Sequence, residues 1–280
     1  MASSAETRRS ELQDVLARER YIKVADLSQR FSVSQMSIRR DVCQLEEQGL
    51  LRRVHGGMVA TPLSRLGLEI SSEFVSQIQE QNLVKEKIAR AAAHLVQPGD
   101  HLIFDCGNIA YLVACALSGD LLTQGDLTVI TNSMPVALEL APWPGVEIIL
   151  LGGEYQAGGM MNLIGPNTLR SLEELHADKM FLTVEAIDIL QGVTTAGDSF
   201  ESALAKRMIA ACTCVILLVT GSRIGRAERY QILPLSGAQI LVTDETCPGD
   251  FASELRDRGI DVIKVQIESR KVLGSDEHPV

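Results

Sequence analysis

The sequence predicts an α/β protein in two parts. A small N-terminal winged helix-turn-helix domain precedes a larger C-terminal α/β domain with a mostly parallel sheet. Three observations predict this. Two short amphipathic segments flank a tight connection between Val24 and Leu45, and a basic stretch with a Gly-Gly turn follows them. Beyond about residue 100, short apolar runs alternate with helical patterns. A chain of 280 residues is too long for one small domain and suits two.

Thr7 to Arg18 reads as a first helix with Leu12, Val15 and Leu16 as its apolar stripe. Val24, Leu27 and Phe31 then recur at helical spacing. Met36, Val42 and Leu45 do so in the next segment, with Ile38 and Cys43 as further apolar positions. Ser32-Val33-Ser34 lies between them. Ser34 is placed to cap the second helix and Val33 to plug the gap between the two. In this layout the second helix enters the major groove with its N-terminal turn foremost. Its polar residues suit that task, because Arg pairs with guanine and Gln with adenine. Glu46 to Gly49 ends the helix, and Leu50 to Val59 reads as two short strands around a Gly-Gly turn, a basic wing. The DNA-binding set expected is Ser34, Gln35, Ser37, Ile38, Arg39 and Arg40 on the helix, with Arg52, Arg53 and His55 from the wing. Residues 7–60 form this domain and 61–72 a linker broken by Thr61-Pro62. Residues 73–270 form an effector-sensing and oligomerisation domain.

In the larger part, Phe74 to Val96 reads as one or two helices, stopped by Pro98-Gly99-Asp100. Apolar strands are predicted at Leu102–Phe104, Leu127–Thr131, Val146–Leu151, Lys179–Val184, Cys214–Thr220, Ile240–Thr243 and Asp261–Val265. Helices between them fall at Ile109–Leu117, Pro135–Leu140, Pro166–Leu175, Ser199–Ala211 and Asp250–Arg258. Near-continuous apolar strands alternating with helices mean a parallel sheet covered on both faces.

The net charge of −10 is unusual for a DNA binder. Residues 1–60, however, hold ten Lys/Arg against eight Asp/Glu, so the remainder carries the acidic excess. One wing alone binds weakly, so a homo-oligomer, dimer or tetramer, on double-stranded palindromic operator DNA is expected. No apolar run approaches the roughly 20 residues that span a bilayer, and Met1 to Glu6 has no apolar signal core. No membrane partner is expected. The six cysteines are scattered, as reduced thiols in a cytoplasmic protein are. No metal site and no cofactor motif is indicated.

Ligands in open parallel sheets bind beyond the carboxyl ends of the strands. The residues there define an effector-binding set: Asp105, Gly107 and Asn108; Thr131, Asn132 and Ser133; Gly152, Gly153 and Glu154; Glu185 and Asp188; and Arg223. Glycine turns and helix N-termini favour an anion. An enzyme acting on sugar phosphates is the alternative, with Asp105, Glu185, Asp188, Glu201 and Lys206 as acid and base groups.

Arg8-Arg9, the run Val33 to Asp41, Leu45-Glu46, Gly49 and Arg53 to Gly57 resemble the DNA-binding domain of the DeoR family of bacterial transcription regulators. Asp105 to Gly107, Thr131 to Ser133, Leu151 to Glu154, Ile187-Asp188, Gly192 to Thr195, Glu201, Lys206 to Ile209 and Thr243-Asp244 resemble that family's effector domain. The resemblance implies a fold similar to ribose-phosphate isomerases. It implies a function as well: a repressor of a carbohydrate-metabolism operon, released by a sugar phosphate or related metabolite. It adds Glu201 and Lys206 to the effector-binding set. Three departures stand out. Asn108-Ile109-Ala110 replaces hydroxyl residues that hold a phosphate in the family, Glu185 stands in a turn that is usually Gly-rich, and Arg223 stands where the family has Lys. A backbone cradle with Lys206 and Arg223 still suits a phosphate. A free sugar, sugar acid or other polar ligand is the other possibility.

Overall fold

The computed structural model describes residues 7–9, 11–12, 15, 21–47, 51–54, 57–60, 82–156 and 160–267. The linker expected at 61–72 lies outside them, as do His55 and residues 74–81 of the helical stretch expected after it.

In the N-terminal part, β1 (Tyr21–Lys23) leads into α1 (Val24–Arg30), and α2 (Gln35–Glu47) follows after a tight turn. The turn works as the sequence implies. Ser32 takes the left-handed conformation at φ 53°, and the Ser28 hydroxyl donates to the Val33 carbonyl at 2.6 Å. Ser34 caps α2, its hydroxyl accepting from the Ser37 N–H at 3.2 Å. Leu12, Val15, Ile22, Leu27, Ile38, Val42 and Leu45 form one core, with Val33 packed at its edge. The strands β2 (Leu51–Val54) and β3 (Gly57–Ala60) pair antiparallel, and β1 joins β3 to complete a three-stranded wing sheet.

The C-terminal part begins with α3 (Asn82–Ala93) and is built on seven parallel strands. These are β4 (His101–Phe104), β5 (Leu127–Thr131), β6 (Val146–Leu150), β9 (Ala177–Thr183), β12 (Cys212–Leu218), β14 (Ile240–Asp244) and β15 (Asp261–Val265). All seven correspond to predicted apolar runs. Their side chains alternate between two cores. Ile103, Ile130, Met180, Leu182, Leu217 and Leu241 face one, and Leu102, Phe104, Val129, Phe181, Ile216, Leu218 and Val242 face the other. Both faces are buried, which is why these runs read as continuously apolar.

Helices α4 (Asn108–Ala116) and α6 (Met134–Leu140) supply residues to one core, and α8 (Ser199–Ala210) and α9 (Gly249–Asp257) to the other. Two helices depart from expectation: α5 (Gly119–Gln124) was not predicted, and α7 (Pro166–Ser171) stops short of the expected Leu175.

The strand order is β15-β14-β12-β9-β4-β5-β6. From β4 the chain winds outward through β5 and β6, then returns to place β9 on the other side of β4 and winds outward again. The order therefore reverses between β4 and β9, and such a switch point opens a crevice beyond the carboxyl ends of its two strands.

Two small sheets were not foreseen. The hairpin β7 (Glu154–Tyr155) with β8 (Leu163–Ile164) is one. The other is the antiparallel set β10 (Ala186–Asp188), β11 (Gly192–Thr195) and β13 (Tyr230–Leu233). Their strands have two to four residues, too few for an alternation to be read.

Candidate functional site

Two surfaces concentrate chemistry. The first is the outer face of α2. Gln35, Arg39 and Arg40 are exposed and Ser37 half-buried, so these four side chains stand where a DNA groove can meet them. Ser34 is exposed but is engaged in the cap. Two expectations need correcting. Ile38, grouped with the DNA-facing residues, is 0 % exposed and belongs to the N-terminal core. Met36, assigned to the apolar stripe, is 60 % exposed and lines a shallow hollow with Arg39, Arg40, Cys43 and Gln44. Position 38 stands two residues after Met36, about 200° around a helix, so only one of the two can face inward.

The helix is held from behind by the two leading arginines. The Arg8 guanidinium donates to the Asp41 carboxylate at 2.6 Å, and Arg9 donates to the Gln44 side chain. The carboxylate raises the Arg8 pKa further, so that cation is permanent. Arg52 and Arg53 lie on β2, paired with Val59 and Met58 across the wing.

The second surface is a cleft of about 690 Å³ at the switch point. It is lined from β4 and its turn by Asp105, Gly107 and Asn108, from β5 by Asn132, from β9 by Thr183 and Glu185, from α8 by Glu201, and after β12 by Thr220 and Arg223. The floor is apolar, with Leu182, Leu204 and Met208 among it. A few polar groups over an apolar floor is the usual make-up of a small-molecule site.

Asp105 locks the two central strands together. Its carboxylate accepts from the N–H of Gly107 and from the N–H of Thr183, each at 3.1 Å. The Thr183 hydroxyl in turn accepts from the Ala110 N–H at 3.0 Å, inside the first turn of α4. A β-carbon at Gly107 would stand 2.1 Å from that of Thr183, so the close approach of the two strand ends requires glycine there. The residue is half-buried as a whole, but its carboxyl is the enclosed end. Burial pushes that carboxyl up to about 7, against the two backbone N–H groups that stabilise its charge. Burial also drives the neighbouring Cys106 thiol up to about 12, helped by the charges of Asp105 and Glu201, so it is unreactive.

Glu185 is anchored by the Ala196 N–H at 2.5 Å and the Thr195 hydroxyl at 3.2 Å. Glu201 accepts from the Gln156 side chain at 3.4 Å.

The other expected effector residues do not line the cleft. Thr131 ties strand ends, its hydroxyl donating to the Phe104 carbonyl and accepting from the Ser133 N–H. Ser133 caps α6. Asp188 holds the β10–β11 turn by accepting from the N–H groups of Leu190 and Gln191, which also lower its pKa. Gly152 accepts from the Thr168 hydroxyl, and Gly153 lies so close to that hydroxyl and to the Ile164 carbonyl that a β-carbon would clash. Glu154 and Lys206 are exposed, on β7 and α8. Lining residues not foreseen include Lys85, Gln156, Asn162, Thr183, Thr194 and Thr195. Thr183 carried a sequence signal, near the end of a predicted strand, and Thr194 and Thr195 lay within the stretch that resembles the family's effector domain. Among the described residues no His/Cys/Asp/Glu group suited to a metal ion is found, and no helix is long and apolar enough to cross a membrane.

A capped recognition helix with a wing, joined in one chain to an α/β domain with a ligand-sized cleft, defines a ligand-responsive DNA-binding regulator. Residues 8–62 match the DeoR-like helix-turn-helix domain and residues 80–245 the DeoR C terminal sensor domain. The chain belongs to the DeoR family of transcription regulators. It is 31 % identical to the putative aga operon transcriptional repressor of Escherichia coli, over 92 % of this chain and 93 % of that one. It is also 31 % identical to the glycerol-3-phosphate regulon repressor of Escherichia coli, over 88 % and 94 %. The uncharacterized HTH-type transcriptional regulator YulB of Bacillus subtilis is 31 % identical over 94 % and 98 %. These relatives are regulators, so the enzyme alternative is not favoured. Among solved structures, ribose 5-phosphate isomerase A from Methanocaldococcus jannaschii aligns at TM-score 0.37 and 17 % identity over 52 % of this chain and 55 % of that one. The probable sor operon regulator from Shigella flexneri aligns at TM-score 0.38 and 13 % identity over 69 % and 96 %. Likenesses of that size carry no functional weight.

Proposed function

We propose that this regulator represses a carbohydrate-metabolism operon in the cytoplasm and releases its operator when a sugar phosphate or a related sugar metabolite occupies the switch-point cleft. The observation that carries the reading is the cleft itself: polar groups from several elements converge over an apolar floor, in a chain that also bears a capped recognition helix.

DNA contact falls to Gln35, Ser37, Arg39 and Arg40, with Arg52, Arg53 and His55 on the phosphates beside them. Met36 offers an apolar contact for a thymine methyl. Residues 7–60 make up the DNA-binding domain, 61–72 the linker, and 73–270 the sensing and oligomerisation domain. A homo-oligomer brings two recognition helices to half-sites about one helical turn apart.

The test is selection of duplexes from a random library by the full chain, followed by titration of the selected site with sugars and sugar phosphates. A palindromic site released by one of them is expected. Failure to enrich any duplex, or enrichment of a site that none of them releases, contradicts the proposal.

A further inference from the structure

The hydrogen-bond balance of the cleft says which sugars suit it, given that the cleft is the effector site. An anion beyond β4 needs the amides of that turn, and several are already engaged. The Gly107 and Thr183 N–H groups donate to Asp105, and the Ala110 N–H donates to the Thr183 hydroxyl. A resident carboxyl thus holds donors that a phosphate would otherwise take. The side chains that follow, Asn108, Ile109 and Ala110, bring no hydroxyl, and Ile109 and Ala110 are buried.

Further acceptors stand on the rest of the wall. Glu185 and Glu201 both line it, and among the described residues neither forms an ion pair. Two lining amides, Asn132 and Asn162, are 1 % and 3 % exposed, and the side-chain oxygen of each lacks a hydrogen-bond partner. For Asn132 the orientation is fixed, because its side-chain nitrogen donates to the Leu163 carbonyl at 3.0 Å. Buried acceptors without donors are uncommon in native proteins, and two on one cleft wall point to a ligand that brings donors. The lining holds two cations, Lys85 and Arg223, against the three carboxyl groups of Asp105, Glu185 and Glu201.

We propose that the cleft takes an unphosphorylated amino sugar, its ammonium against Glu185 and Glu201 and its hydroxyls donating to the amide oxygens. Hydroxyl and ammonium groups are donors, and a charged donor on a carboxylate makes the stronger class of hydrogen bond. A phosphate would add acceptors to a site already rich in them.

The experiment is calorimetric and thermal-shift titration of the full chain with glucosamine, galactosamine and mannosamine, their N-acetyl forms, and their 6-phosphates, with operator release scored on the same samples. At least one free amine is expected to raise the melting midpoint by several degrees when present at about a hundred times its Kd. Its N-acetyl and 6-phosphate forms are expected to bind at least about tenfold more weakly. Glu185→Gln and Glu201→Gln should each erase the preference for the free amine while leaving the melt of the unliganded chain cooperative.

Tighter binding of a 6-phosphate, lost in Arg223→Gln, overturns the amino-sugar inference but leaves the effector-site reading standing. Binding of a free amine without operator release upholds the ligand class and removes the effector role. The absence of binding by every probe, or binding untouched by both glutamate variants, overturns the inference.

Discussion

The recognition helix and the cleft are built on opposite principles. The first puts its chemistry on one 13-residue helix, and its geometry follows from local rules: a Ser34 cap, a left-handed Ser32 and a helical repeat. The second assembles residues that lie more than a hundred positions apart, from Lys85 to Ile232, and depends on a strand order that no local pattern states. A local site shows its members in the sequence, and the helical repeat limits their facing to a choice between neighbouring registers. A site at a topological switch point shows its candidate members, but not which of them meet.

The largest effect separates fold from recognition on α2. Ile38→Ala should destabilise the N-terminal domain by ~2–5 kcal/mol, because it empties a fully buried core position. Limited proteolysis would show that domain cleaved while the C-terminal domain keeps its melting transition. An unchanged N-terminal domain would place Ile38 on the surface after all.

Arg39→Ala and Arg40→Ala should leave both domains folded and weaken operator binding by ~1–3 kcal/mol each if the residue reads a base. If the contact is to phosphate, the dependence on salt should instead shallow by about one counterion. Fluorescence anisotropy across a salt series distinguishes the two, and ligand binding in the cleft should stay unchanged.

On the cleft side, Gly107→Ala brings a β-carbon into Thr183 and should destabilise the sensor domain by ~1–3 kcal/mol through overpacking. Its DNA-binding domain should be spared, so calorimetry would show a lowered sensor-domain transition. Ser34→Ala tests the corresponding turn on the other side and should cost ~1 kcal/mol through the lost cap.

The remaining effect is a pH dependence. The Asp105 carboxyl is raised in the folded state to about 7, from an ordinary 3.8. Between those values the folded chain retains a proton that the unfolded chain has released, so the contribution of Asp105 to stability falls as pH rises from about 4 through about 7. In Asp105→Asn this component of the pH profile should vanish. A profile identical to that of the parent chain would mean that Asp105 is charged and solvated.

How much was legible follows the same division. Every strand of the seven-stranded sheet was readable, because a strand buried on both faces is a short continuous apolar run. The Ser34 cap and the wing were readable from residue types known to favour them. Met36 and Ile38 were exchanged because both are apolar, and the two helix registers differ only in which of them packs. In the cleft, Asp105, Gly107, Asn108, Asn132, Glu185, Glu201 and Arg223 were anticipated and do line it. Thr131, Ser133 and Asp188 were anticipated for the same reason, being polar residues at strand ends or in turns, yet their side chains serve turns and caps. Polar residues at a strand end serve ligand or backbone equally well, and only the fold decides between them. Asn162 went unseen because it lies just before β8, outside any strand, and Thr194 and Thr195, noted only through the family resemblance, sit on a strand too short to leave a pattern of its own.

The central claim is that occupancy of the switch-point cleft sets the grip of α2 on DNA. Operator affinity with and without a saturating sugar ligand, measured for the parent chain and for Glu201→Gln, tests it most directly. The parent should lose at least about tenfold in affinity when the ligand is added, a coupling of ~1.4 kcal/mol. Glu201→Gln should bind the operator as tightly as the parent and respond far less. An equal loss in both chains, or no loss in the parent under saturation, would contradict it.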